Sequence, residues 1–421
     1  MADAEFRVAP PVEFKLSSSF DQGATSLDGS PLLDCFTNSQ GLKLKGYRWV
    51  VDSPTAIVIA IHGIQTHCKF EYLRLPREPT SQICKPEDFP VDANAPFHVD
   101  QQLEKDLAAT CSCSSVYRGS WVEAFNSKGI TFCGLDLQGH GLSEGWRQTR
   151  CNVECFDDYA RDVIQYVHLV VQSTLSIHSG SSIYENPECV AKLPGIYLMG
   201  ISMGGCIVLR AVELMSKSDD FMIRNIKGIN FGNARNATLI HTGDNDIRSS
   251  ILSGCVCLAP MLSVEKVKRK PLNRLLLPFG AFLSKILPDI PVAAVVPNLL
   301  YPWIDTCKKK DKLVPFPSMI PARLSFECIS AIKNTQDDSD MIPQHISLLL
   351  IHSKRDTLCE IEGTELFFNR FDKHPSKQFW KLESMWHCLT QEEKNEELAS
   401  STIDWMLKKC VGNVKMSKSH L

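Results

Sequence analysis

Residues 195–215 read GIYLMGISMGGCIVLRAVELM. The apolar run Gly195–Met199 predicts a short strand, and the apolar spacing over Gly204–Met215 predicts a helix. Between them lies Gly200-Ile201-Ser202-Met203-Gly204, a G-x-S-x-G turn in the strand–turn–helix setting that a nucleophile elbow requires. Gly200 and Gly204 let such a turn close without side-chain collision and lift the Ser202 hydroxyl above the sheet. The helix amino terminus beneath it offers free N–H groups and a positive dipole end to developing negative charge. The bland reading is a plain Gly-rich turn, and the flanking strand and helix weigh against it.

The same rhythm continues on either side. Leu32–Thr37 and Leu42–Val51 predict two strands, joined as a hairpin through Gln40-Gly41. Ala56–Ile61, AIVIAI, has the continuous apolar run of a strand buried on both faces. Trp121–Asn126 is helix-like and Gly129–Leu137 is a strand. Asp157–Val171 is a helix with Tyr159, Val163, Tyr166, Val167 and Val170 on one face. Cys255–Ala259, His345–His352 and Gln378–Leu382 are strands, while Gly363–Phe371 and Glu396–Lys408 are helices. Strands alternating with helices give an α/β fold with a mostly parallel sheet.

Four segments interrupt it. Residues 65–120 form a long polar insert, 172–193 a Ser-rich loop, and 216–248 a stretch rich in Asn, Gly and Asp. All three read as surface excursions. Residues 262–344 carry too much apolar surface for a loop and read as a helical cap over the sheet. Its Leu275, Leu276, Leu277, Phe279, Phe282, Leu283, Ile286 and Leu287 suit an acyl chain, a lipid surface or plain packing on the core. The organisation is then a tail (1–30), a first core part (31–261), the cap, a second core part (345–410) and a tail (411–421).

Composition narrows the function. Lys and Arg number 45 against 48 Asp and Glu, with 44% hydrophobic and 22% charged residues, which excludes a disordered chain and gives a polyanion no reason to bind. No nucleic-acid partner is expected. The 17 cysteines are odd in number and scattered, which suits reduced thiols in the cytoplasm. The close pairs Cys111 and Cys113, Cys151 and Cys155, and Cys255 and Cys257 lack zinc-site spacing, so no metal is expected, and the last pair reads as core. The opening MADAEFRVAPP lacks a signal-peptide pattern. Residues 271–303 are broken by Arg274, Lys285, Asp289 and prolines, unlike a membrane span.

A serine needs a base held by an acid. In the order serine, acid, histidine, Asp356 follows the strand SLLLIHSKRD and His387 the strand QFWKL. His387 is the expected base, and Asp356 the acid that fixes its tautomer. A helix-capping Asp356 and a surface His387 are the bland alternatives. His352 and Glu360 are nearby substitutes, the first still inside its strand and the second beyond the loop. The expected oxyanion donors are the N–H groups of Met203 and of Ile64, where Gly63 permits close approach. His62 reads as a packed loop residue. Asp136, His140 and Ser143, in the Gly-rich segment after the strand, read as a structural network, because their spacing fits no phosphate loop. No cofactor is expected. His67, His98, His168, His241 and His374 show no partner pattern.

Together IHG (61–63), GLDLQGHGLSEG (134–145), GISMGG (200–205), HSKRD (352–356) and MWH (385–387) resemble the monoacylglycerol lipase and lysophospholipase group of α/β-hydrolases. The phrase GYRWVV and the insert after His62 are also similar to lysophospholipase-like proteins of apicomplexan parasites. The resemblance implies an α/β-hydrolase fold with a cap before the acid-bearing strand. It implies hydrolysis of a lipid-like fatty-acyl ester by Ser202, Asp356 and His387, with Ile64 and Met203 as oxyanion amides. Transient contact with a membrane surface through the cap is a further expectation. Many relatives carry His where this chain has Ile201, which alters the pocket floor and leaves the triad intact. Peptidase, thioesterase or protein-deacylase action, and a non-catalytic binding role, stand as alternatives.

Overall fold

The computed structural model describes residues 27–76, 115–179, 194–218, 222–223, 239–242, 246–250, 252–263, 265, 280–294, 298, 300–315, 319–370 and 374–416. The strands in chain order are β1 (Leu32–Thr37), β2 (Lys43–Trp49), β3 (Ala56–Ile61), β4 (Ile130–Asp136), β5 (Gly195–Ile201), β6 (Met222–Ile223), β7 (Leu239–Thr242), β8 (Asp246–Ser250), β9 (Gly254–Leu258), β10 (Pro291–Ala294), β11 (Met319–Pro321), β12 (Ser347–Ser353) and β13 (Lys377–Leu382). The helices are α1 (Cys68–Tyr72), α2 (Trp121–Ser127), α3 (Phe156–Ser179), α4 (Met203–Lys217), α5 (Pro302–Lys310), α6 (Ala322–Asp337), α7 (Ile361–Arg370) and α8 (Asn395–Met416).

Eight strands make the central sheet in the order β1-β2-β4-β3-β5-β9-β12-β13. β2 pairs antiparallel with both β1 and β4, and every other pairing is parallel. Parallel strands are covered on both faces, so β3, β4, β5, β9 and β12 are buried along their whole lengths. On one face, α3 and α4 supply Tyr159, Val163, Val208 and Val212. On the other, α2 and α8 supply Trp121, Phe125, Trp405 and Met406. Cys255 and Cys257 point into this core as small hydrophobes.

The interruptions differ from their reading as loops. Helix α3 runs on to Ser179, with the hydroxyls of Ser173 and Thr174 bonded back to Val170 O so that they do not compete for the chain outside the helix. Parts of 216–248 form a three-stranded sheet, β6-β8-β7. The insert after His62 begins as buried structure, not as a surface excursion. Its Phe70 and Leu75 bury against Ile304, Cys307 and Val314 of the cap. Tyr72 OH donates to Ile61 O at the end of β3. Cys68, Phe70, Tyr72, Leu73 and Leu75 are all buried here.

The cap is mixed, with the β10–β11 pair beside its helices. Helix α6 packs on the core through Leu324, Cys328 and Ala331. Arg210 of α4 ties it down, bonding Asp157 at 2.7 Å, Glu213 at 3.1 Å, and Asp338 just after α6. Residues 280–287 behave differently: Phe282, Ile286 and Leu287 are exposed, and Leu283 is half-buried. Leu275, Leu276, Leu277 and Phe279 lie outside the described residues, as does His98. Among the described residues, no helix is long and apolar enough to cross a membrane.

Candidate active site

The loops after β3, β5, β12 and β13 leave the same end of the sheet, and each carries one part of the expected machinery. Ser202 follows β5 directly and caps α4 with φ 56° and ψ −120°. A non-glycine residue held there costs on the order of 1–3 kcal/mol, so its surroundings must hold it. Ser202 N donates to Leu258 O at 2.9 Å, and Ser202 O accepts from Met261 N at 3.0 Å. The two flanking glycines are sterically required. A Cβ on Gly200 would stand 2.2 Å from Gly204 O, and one on Gly204 would stand 2.4 Å from His62 O. Ser202 is 9% exposed.

Asp356 and His387 meet. Nδ1 of His387 lies 2.7 Å from Asp356 Oδ2. The other Asp356 oxygen accepts the N–H groups of Leu358 and Cys359, so the acid also caps its own turn. Burial alone would lower the His387 pKa. The Asp356 charge and hydrogen bond, with Glu392 and Glu71 further off, outweigh burial and raise it. Burial likewise pushes Asp356 up, yet His387 and His352 hold it well below the usual carboxylate range. Ser202 Oγ lies 3.8 Å from Cys359 Sγ. Among the described residues, no hydrogen bond joins that hydroxyl to His387.

The loop after β3 crosses close over Ser202. A Cβ on Gly63 would come within 3.3 Å of Ser202 Cβ. His62 is fully buried; its Nε2 accepts from Leu137 N at 3.1 Å, which leaves the proton on Nδ1. Nδ1 then donates to Gly63 O at 2.7 Å. Burial, against the pull of Asp136, pushes this imidazole down to about 4, so it is neutral at physiological pH. The Gly63 carbonyl and the Ile64 N–H share one planar peptide with opposed directions. Holding the carbonyl therefore fixes the aim of the amide expected to serve as oxyanion donor. Met203, bearer of the other expected donor, opens α4.

The segment after β4 is the network its sequence suggested. Asp136 accepts from Tyr47 OH, Leu142 N and Cys68 N, each at 2.9 Å, and Ser143 Oγ donates to Asp136 O. His140 Nδ1 meets Gln138 O at 3.0 Å.

Several neighbours of the site gave no readable signal. His352, set aside as a strand residue, lies 3.2 Å from Asp356 Oδ2 and 2.8 Å from Thr364 Oγ1. His67 has a partner that no pattern in the sequence showed: Nε2 lies 3.0 Å from the buried Asp311 of the cap. That partner is 244 residues away, and no local pattern announces it. Gln391 donates to the carbonyls of Phe70, Glu71 and Leu73 at the end of α1. His387 thereby has a loop braced against the start of the insert. Among the described residues, no group of three or more His, Cys, Asp or Glu is arranged to hold a metal ion.

The family model described as serine aminopeptidase, S33, matches residues 111–223 and 237–394, more than half of the chain. Among solved structures, a monoacylglycerol lipase from Paleococcus ferrophilus is 16% identical, with TM-score 0.53, over 87% of this chain and 99% of that one. A soluble variant of monoglyceride lipase from Saccharomyces cerevisiae, complexed with a substrate analogue, is 14% identical, with TM-score 0.54, over 95% and 98%. A thermostable carboxyl esterase from Bacillus coagulans is 13% identical, with TM-score 0.55, over 91% and 99%. At these identities the likeness is one of fold. No curated protein sequence matches the chain.

Proposed function

The chain belongs to the serine aminopeptidase S33 family and has the α/β-hydrolase fold, and from that premise we propose that it is a serine hydrolase cleaving fatty-acyl esters through an acyl-Ser202 intermediate. The observation that carries this reading is the strained Ser202 at a helix amino terminus, with the buried Asp356–His387 pair on neighbouring loops.

In the proposed reaction the Ser202 hydroxyl turns from Cys359 to the free nitrogen of His387. Its oxygen attacks the ester carbonyl as its proton passes to that nitrogen. Asp356 keeps the first proton on Nδ1 and stabilises the imidazolium. The N–H groups of Met203 and Ile64 receive the oxyanion, each worth about 3 kcal/mol of transition-state stabilisation. Collapse expels the alcohol, which takes its proton from His387. Water then attacks the acyl-serine with His387 again as base, releasing the acid and restoring Ser202.

Lipid substrates fit the cap. Phe282, Ile286, Leu287, Val292 and Leu300 are all exposed there. Such side chains favour an acyl chain or a membrane surface over water, and they support transient contact between cap and bilayer. Monoacylglycerol and lysophospholipid are the head-group classes proposed, and monoacylglycerol is what two of the similar structures are named for.

Peptide hydrolysis is the competing reading that the family's description invites. A substrate amine would need carboxylates ready to receive it. The buried carboxylates about His387 are already engaged, Glu392 by three backbone N–H groups and Glu71 by Thr390 at 2.8 Å. The test is a panel of nitrophenyl esters, monoacylglycerol, lysophosphatidylcholine and an aminoacyl amide, run with wild type and Ser202→Ala. Ester turnover lost in the variant supports the reading. Turnover of the amide alone would replace it with a peptidase.

A further inference from the structure

The loop that carries His387 is folded around a single carboxylate. Glu392 is fully buried. Its Oε2 accepts from Trp386 N at 2.6 Å, and its Oε1 from His387 N at 2.9 Å and Cys388 N at 2.7 Å. Three consecutive amides, the middle one belonging to His387, thus converge on one side chain. The Glu392 backbone is itself fixed, because its carbonyl accepts the main-chain N–H of Asn395, where α8 begins, at 3.1 Å. The preceding residue, Gln391, faces the other way and binds the end of α1.

We propose that Glu392 is a positioning residue for the base: its carboxylate shapes the His387 loop through three N–H bonds and sets a second negative charge beside the imidazole. The proposal rests on the reading of His387 as the catalytic base.

Chemistry explains why a carboxylate stands here. Three donors need two acceptor oxygens, and an amide has only one. In Glu392→Gln, the amide oxygen can serve His387 N and Cys388 N, but its NH₂ then faces the Trp386 N–H. The loop must shift to relieve two opposed donors, and the imidazole shifts with it. The charge matters separately. The ionisable groups around the imidazole include Asp356 after β12, Glu71 from α1 and Glu392, with His352 of β12 3.2 Å from the same Asp356 oxygen. Burial raises the Glu392 pKa, and its three N–H bonds and His387 work against that rise. Lys308 from α5 lies beyond, near Glu71 and the Cys388 thiol, which burial keeps protonated. Tyr301 from the cap also feels Glu392, along with Glu393 and Arg355. Against that background, removing one negative charge makes imidazolium less favourable. The base then stays neutral to lower pH.

The experiment compares wild type, Glu392→Gln and Glu392→Asp in full-length protein on a short nitrophenyl ester, measuring kcat, KM, thermal midpoint and the pH dependence of kcat/KM. Glu392→Gln should lose about tenfold or more in kcat, short of the full loss expected on removing a general base, with KM little changed. Its acidic limb should move to lower pH. Glu392→Asp keeps the charge with a shorter reach, so its kcat should fall while the limb stays at the wild-type position. Wild-type kcat and limb in Glu392→Gln would overturn the proposal. So would a kcat loss with an unmoved limb, which is what a merely structural residue gives. Should Glu392→Gln fail to fold, Glu392→Asp decides: an unchanged kcat overturns the proposal. Labelling of wild-type Ser202 by a fluorophosphonate checks the parent reading. Without it, triad and proposal fall together; with it, a neutral Glu392→Gln overturns the proposal alone.

Discussion

The candidate site at the carboxyl ends of the strands and the outer part of the cap are built on opposite terms. Around Ser202, Asp356 and His387 the side chains are buried, and both Asp356 oxygens are bonded, one to His387 Nδ1 and the other to two backbone N–H groups. On the cap, Phe282 is 66% exposed and Ile286 58%. Within the cap itself, α6 sides with the core, burying Leu324 and Ala331 against the helix that Ser202 caps. The difference matches the two jobs proposed for them. Ester chemistry needs atoms fixed to fractions of an ångström, whereas meeting a lipid needs only apolar area with freedom to adapt.

Perturbing the fixed region should cost most. Ser202→Ala should abolish ester turnover, a loss of about a millionfold in kcat for a nucleophile of this class, read with a nitrophenyl ester. Asp356→Asn should lose about ten-thousandfold, because the wrong tautomer of His387 faces the serine. The pH profile sharpens the point. A base must be neutral, and Asp356 raises the His387 pKa, so the acidic limb of kcat/KM should lie above the ordinary imidazole value. In Asp356→Asn, the residual activity should show that limb at lower pH.

The boundary between the regions should respond through stability. Arg210→Met leaves Asp157, Glu213 and Asp338 without their common cation, and breaking a buried pair of this kind costs about 3 kcal/mol. Gln391→Leu strips buried carbonyls of Phe70, Glu71 and Leu73 of their donor, at about 1–3 kcal/mol for the site. Thermal and denaturant unfolding read both. The smallest effect belongs to the outer cap. Phe282→Ser with Ile286→Ser should change stability by no more than about 0.5 kcal/mol and leave short-ester turnover intact. Turnover of long-chain esters in vesicles should fall. Equal loss on short and long esters would erase the division between machinery and cap.

Much of the candidate site was legible in the sequence because its rules are local. A G-x-S-x-G turn stands between an apolar strand and a helix, and Asp356 and His387 each follow a later strand in the required order. The supports were illegible for the converse reason. His67 meets Asp311, and Gln391 meets α1, across more than two hundred residues of chain, so no spacing signals either. The buried start of the insert was missed because its Phe70 and Leu75 gain their value from cap residues far along the chain. Glu392 stood in plain view five residues after His387, but nothing local shows that its carboxylate turns back onto the loop.

The most direct measurement is mass spectrometry of the intact fold after reaction with a fluorophosphonate. The account predicts a single adduct on Ser202, lost in His387→Ala at neutral pH. An adduct on another residue, or labelling of Ser202 indifferent to His387, would contradict it.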